Sequence, residues 1–137
     1  MRVAVISLSA GTSGKLALIA QSLGKGLESA GHRVDFFDPK VDPMPIASYD
    51  YIIVGSESEG LWGRLPKVVP EYLRRCHGLS GKRSFAFVRK SGLRPARALS
   101  RLMRLVEAEG MRLTWSEILS SAEEAALAGR EAPVERA

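Results

Sequence analysis

The chain alternates short, dense apolar runs with longer stretches in which apolar residues recur every three or four positions. Residues 3–6 (VAVI), 51–54 (YIIV) and 84–88 (SFAFV) are the dense runs, and each predicts a strand buried on both faces. Residues 33–37 (RVDFF) predict another strand after Gly31, and residues 111–115 a fifth, weaker one. From Lys15 onward, Leu16, Ile19, Leu23 and Leu27 fall on one helix face, and Gly31 ends that helix. Leu65, Val68, Val69, Tyr72 and Leu73 mark a second helix with Pro66 in its first turn. Pro70 lies one turn further in, where it should kink or divide the helix, and Gly78 stops it. Pro95 opens a third helix with Leu99, Leu102 and Val106 inward and Arg97, Arg101 and Arg104 outward, as far as Gly110. Ser121 and Glu124 have capping-box spacing and start the last helix. Pro39, Pro43 and Pro45 make residues 38–48 a loop, and residues 130–137 read as a frayed tail.

The element order is therefore β-α-β-β-α-β-α-β-α. Apolar strands alternating with amphipathic helices give an α/β domain, a parallel sheet covered on both faces and spanning residues 1–137. Ligands of such sheets bind beyond the carboxyl ends of the strands. Here those ends are residues 7–15, 55–63 and 88–94, three loops expected to converge on one crevice.

Composition narrows the class. The chain has 137 residues, 45% of them hydrophobic, enough for a core and too apolar for a disordered chain. No apolar run reaches the length of a membrane span and the start lacks a signal-peptide layout, so a cytoplasmic protein is expected. Cys76 is the single cysteine, which excludes an intrachain disulfide. Asparagine is absent and glutamine occurs once, a bias that suits a thermophile and equally a GC-rich genome. The net charge of +5 is unevenly spread. Residues 35–63 carry six acids against Lys40, residues 64–104 carry twelve bases against Glu71, and residues 105–137 carry seven Glu against three Arg. The basic middle is either a solvated face or a field that steers an anionic partner.

The first loop, SLSAGTSGK, tests for phosphate chemistry. A nucleoside-triphosphate loop needs GxxxxGK followed by Ser or Thr. Gly14 and Lys15 supply the GK pair, but Ser9 replaces the leading glycine and Leu16 the metal-binding hydroxyl. ATP and GTP hydrolysis are therefore disfavoured. Ser7, Ser9, Thr12 and Ser13 still offer hydroxyls at a helix start, which suits a single phosphate without metal. The same residues also suit a small-residue turn that lets the helix pack closely.

With these loops in view, the chain resembles the flavodoxin-like family, the FMN-binding electron-transfer proteins and their relatives, through most of its length and most strongly over residues 1–75. In the family's first loop, S-x-T-G-x-T, Ser7 takes the first serine, Ser9 the threonine, Ala10 the glycine, Gly11 the variable position and Thr12 the last threonine. Ala10 departs from the pattern by placing a β-carbon in a tight turn. The stretch YDYIIVGSESEGLWGRLPKVVPEYL resembles the family's third strand and flavin loop. The resemblance implies a three-layer sandwich with a five-stranded parallel sheet in the order 2-1-3-4-5. It also implies that Ser56, Ser58, Gly60 and Trp62 lie along an isoalloxazine ring, with Trp62 stacking on it; otherwise Trp62 plugs the adjacent helix. Glu57 stands where relatives often have proline. In the third loop, VRKSGLRP, Ser91 and Gly92 suit a flavin edge. Arg89 and Lys90 depart from the family habit and would favour a negatively charged, reduced cofactor, making FMN easier to reduce than in an ordinary flavodoxin.

The resemblance thus implies FMN as cofactor, in electron transfer or a small flavin-dependent oxidoreductase, with no protein acid or base assigned. The basic stretch points to an acidic redox protein as partner, in contrast to ordinary flavodoxins, which use an acidic surface. The competing reading is a cofactor-free flavodoxin-like scaffold that binds protein or nucleic acid through its basic 64–104 face. Nucleic acid is disfavoured because that stretch lacks interleaved exposed aromatics and a known motif. Monomer and homodimer both stay open. No metal site is expected: His32 reads as an exposed turn residue, His77 as a helix-end residue, and Cys76 as a buried structural thiol.

Overall fold

A computed structural model describes residues 1–10, 14–39 and 46–135. Its strands are β1 (Arg2–Ser7), β2 (Arg33–Phe37), β3 (Tyr51–Glu57), β4 (Arg83–Arg89) and β5 (Arg112–Leu119). They alternate with α1 (Lys15–Ser29), α2 (Val68–Arg75), α3 (Pro95–Ala108) and α4 (Ala122–Glu131), and a 3-10 turn covers Ile46–Ser48. All strand pairs are parallel and the sheet order is β2-β1-β3-β4-β5, the order the resemblance implied.

Strand alternation sorts the core into two layers. Ala4, Ile6, Ile52, Val54, Ala86 and Val88 face α2 and α3, where they meet Val69, Tyr72, Leu73, Leu102 and Val106. Val3, Val5, Tyr51, Ile53, Phe85 and Phe87 face α1 and α4, where they meet Leu16, Ile19, Leu23, Leu27 and Ala125. Both faces of the central strands are dry, which is why those strands read as unbroken apolar runs.

Four local expectations need correction. The second helix starts at Val68, so Pro70 sits in its first turn, where no intrahelical N–H bond is lost, and neither kinks nor divides it. β5 runs on to Leu119, with a register shift opposite Ser84/Phe85 at which Thr114 is passed over. The Thr114 hydroxyl instead donates to the Ser84 carbonyl at 3.0 Å and pairs with the Tyr51 hydroxyl at 2.7 Å. Of residues 130–137, expected to fray, 136 and 137 lie outside the described residues and 130–135 are docked: α4 continues to Glu131, Val134 is fully buried, and its carbonyl accepts from Arg83 Nη2. His32 is buried rather than exposed, because that docked segment lines the same hollow. Burial, helped by the nearby amino terminus, pushes its pKa down.

Candidate functional site

The three loops do converge at the carboxyl edge of the sheet. The Leu8 amide donates to the Gly55 carbonyl at 2.9 Å, and the Ser56 hydroxyl donates to the Leu8 carbonyl at 2.7 Å. Ser56 is fully buried by this bond, so it ties the first loop to β3 instead of presenting a hydroxyl to a ligand. Ser7, half-buried, pairs in register with Gly55. Beyond it, the Ser9 hydroxyl donates to Glu57 Oε1 at 2.7 Å, and Arg89 Nε donates to Glu57 Oε2 at 2.7 Å. One carboxylate thus joins the ends of β1, β3 and β4. Ala10 is exposed, and Gly14, at φ 74, leads into α1 with no side chain capping it. Gly11, Thr12 and Ser13, the other expected phosphate contacts, lie outside the described residues.

On the other side of the crevice the β3 and β4 loops touch. The Ser58 hydroxyl donates to the Ser91 carbonyl at 2.6 Å. Gly60 and Gly92 both have positive φ, and a β-carbon on Gly92 would stand 3.7 Å from the Gly60 carbonyl and the Ser58 hydroxyl. The Glu59 amide donates to the Arg64 carbonyl at 2.6 Å, which closes residues 59–64 into a tight loop. Arg101 pins that loop from α3, donating to the carbonyls of Trp62 at 3.1 Å and Gly63 at 2.9 Å. Trp62 is 57% exposed, so it is not a plug over the adjacent helix. The Arg94 guanidinium lies over its ring, 5.2 Å from the centroid.

Two features of these touching loops ask for a ligand. Leu61, Trp62 and Leu93 are large apolar side chains more than half exposed. In the same loops the Ser91 hydroxyl is buried without a hydrogen-bond partner among the described residues. The sequence singles out Trp62 and Ser91. It does not single out Leu61 and Leu93, although apolar residues beside glycine in two converging loops are a readable signal. Nor does it show Glu57 as a bridge, or Arg94 and Arg101 as supports, because all three act on residues far away in sequence.

The charge expected of Arg89 is balanced within the protein, since its partner is the Glu57 carboxylate and both side chains are largely buried. Away from the crevice, burial pushes the half-buried Cys76 thiol up to about 11, which favours its neutral form. Among the described residues, no three His, Cys, Asp or Glu side chains gather where a metal could be held. Among them, too, no helix is long and apolar enough to cross a membrane.

The residues present fit FMN at the ring end. Exposed Trp62, Leu61 and Leu93 offer apolar cover, and the Ser91 hydroxyl offers a polar group beside it. At the phosphate end Ser9 is the described donor, and its hydrogen is held by Glu57, so a phosphate there competes with one carboxylate.

Solved structures show the same architecture. Oxidised flavodoxin 1 from Bacillus cereus superposes with a TM-score of 0.72 and 18% identity, covering 94% of this chain and 95% of that one. Two-electron reduced flavodoxin from Megasphaera elsdenii gives 0.69 and 19%, over 93% and 99%. A flavodoxin from the domain Archaea gives 0.64 and 19%, over 93% and 94%. No family model and no curated protein matches the chain. At these identities the likeness establishes a flavodoxin-like fold.

Proposed function

We propose that this chain binds FMN in the crevice between its β1, β3 and β4 loops and serves in electron transfer or as a small flavin-dependent oxidoreductase. The observation that carries this reading is the pair of touching loops that leave Leu61, Trp62 and Leu93 exposed beside the unpartnered Ser91 hydroxyl. FMN, when bound, supplies the redox chemistry; the chain supplies position and electrostatics. Trp62 and the two leucines cover apolar ring surface and keep water from it. Ser91 would fix the polar edge, while Ser7, Ser9, Ala10, Gly11 and Thr12 are the residues the sequence offers to the phosphate. The Arg94 guanidinium already lies over the Trp62 ring and would help hold the indole in place. Titrating the purified protein with FMN tests the proposal. Quenching of flavin fluorescence on binding, lost in Trp62→Ala with Ser91→Ala, is the expected result; unchanged FMN fluorescence with the wild-type protein overturns it.

One observation favours a second reading. Ser9, Glu57 and Arg89 satisfy one another, as do Ser58 and the Ser91 carbonyl, so the crevice walls hold together without a ligand. That suits a cofactor-free scaffold that works through its basic 64–104 face, and a colourless protein indifferent to FMN would select it.

A further inference from the structure

An apolar groove lies between α2 and α3, on the face of the sheet away from α1 and α4. Its main part, about 510 Å³, has Leu65, Pro66, Pro70, Leu105 and Ala108 as its apolar lining. The charged residues beside them are Lys67, Arg101 and Arg104. A smaller extension of about 170 Å³ shares Pro70, Leu105 and Ala108, and adds Leu73, Arg74 and a single acid, Glu109. The groove exists because α2 is only eight residues long and begins at Val68, leaving Leu65 and Pro66 outside the helix beside α3. Pro66 and Pro70 have no N–H, so this part of the wall is apolar and offers an incoming backbone no donor.

We propose that this groove docks an acidic amphipathic helix from a protein partner. The charge argues for the acid: four bases border the groove against Glu109, within a stretch of twelve bases and one acid. The lining argues for the helix. An extended segment would leave its own N–H and C=O groups facing prolines and leucine, whereas a helix satisfies its backbone internally and presents one apolar stripe. Leucines of that stripe enter between Pro70 and Leu105, and flanking carboxylates meet Lys67, Arg74 and Arg104. The inference gives the basic-face reading a site and an occupant, and it stands whether or not the crevice holds FMN. Arg101 borders the groove and also holds the Trp62 and Gly63 carbonyls, so an occupant that draws on Arg101 is felt at the crevice loop.

The test uses a fluorescent synthetic helix of about 14 residues, with Leu at three- and four-residue spacing and Glu elsewhere, followed by anisotropy. Saturable binding is expected, weakened roughly tenfold by Arg104→Glu and by Ala108→Glu, and weakened by salt. Lys67→Glu is a second charge variant should either of these fail to fold, and Arg33→Glu on β2 should leave binding unchanged. A peptide with Lys in place of Glu should bind Arg104→Glu better than it binds wild type. The proposal is overturned if the acidic peptide does not bind, or binds regardless of these substitutions. It is equally overturned if a DNA oligonucleotide or phosphatidylserine vesicles take the groove in preference, or if the groove variants abolish self-association instead. FMN titration of the same variants should match wild type, which keeps failure of this proposal separate from failure of FMN binding.

Discussion

Glu57 is the residue on which the crevice turns. Its two oxygens accept from Ser9 and Arg89 at 2.7 Å each, and its side chain is only 12% exposed. An ionised, hydrogen-bonded pair at that burial stabilises by roughly 1–2 kcal/mol, and the same carboxylate repels an incoming phosphate. Glu57→Gln keeps the shape and removes the charge. Its expected outcome is a lower Tm together with FMN binding tightened roughly tenfold, read by thermal unfolding and flavin quenching. Tightening without loss of stability would mean that Arg89 had found another partner. Glu117 on β5 offers a pH test. Burial, then the nearby Glu124 and Glu131, push its carboxyl above the ordinary value of 4.5, and one of its oxygens is buried without a partner among the described residues. The raised value lies in the folded state, so the fold holds this proton more tightly than the unfolded chain does. Stability is therefore lost as pH rises from 4.5 through the raised value. Glu117→Gln should raise Tm at neutral pH, and the gain should vanish at acid pH where the wild-type carboxyl is protonated in both states.

At the scale of elements, α1 packs backbone to backbone against α4 at two glycines. A β-carbon on Gly26 would stand 2.1 Å from the Ala126 carbonyl oxygen, and one on Gly129 would stand 2.2 Å from that of Leu23. Both obstacles are backbone, which cannot rotate aside, so Gly26→Ala and Gly129→Ala each force the helices apart. A loss of roughly 1–3 kcal/mol is expected from either, measured by denaturant unfolding, and the two should be less than additive because they relieve one contact. This contact also shows where the sequence is readable and where it is not. The faces of α1 and α3 and the strands β1, β3 and β4 are local patterns of period 3.6 or unbroken apolar runs, and they lie where those patterns put them. Leu65 misleads, because it packs on the core from a loop and so lengthens the apparent face of α2. β5 reads as weak because it is an edge strand, with Arg112 to Ile118 half-buried or exposed. The docking of residues 130–135 rests on Val134 and on Arg83, 51 residues away, a pairing that no local window contains. The site divides in the same way. The rule of strand carboxyl ends finds its three loops, while the links from Glu57 to Ser9 and Arg89 span 48 and 32 residues.

For the whole molecule, the segregation of charge has a thermodynamic consequence that needs no partner. Lys67, Arg74, Arg75, Arg97 and Arg104 are all exposed on the α2–α3 side. Arg94 caps the start of α3 at φ 60, and Arg97 follows in its first turn, where the helix dipole is also positive. Mutual repulsion among these groups is present in the fold and relaxed in the expanded chain, so it subtracts from stability at low ionic strength. The Debye length falls from about 30 Å at 0.01 M salt to about 8 Å at 0.15 M, which screens most of it. Tm is therefore expected to rise by roughly 2–4 °C over that range, measured by calorimetry. Arg104→Glu should raise Tm at low salt and flatten the dependence, since it removes one repelling base and adds an attracting acid. The reverse behaviour, a Tm that falls as salt is added, would mean that the acids of residues 35–63 and 105–137 lie close enough to hold the basic face in net attraction. The groove would then face a smaller positive field than its own lining suggests, and an acidic helix would have to compete with this chain's own carboxylates for Lys67 and Arg104.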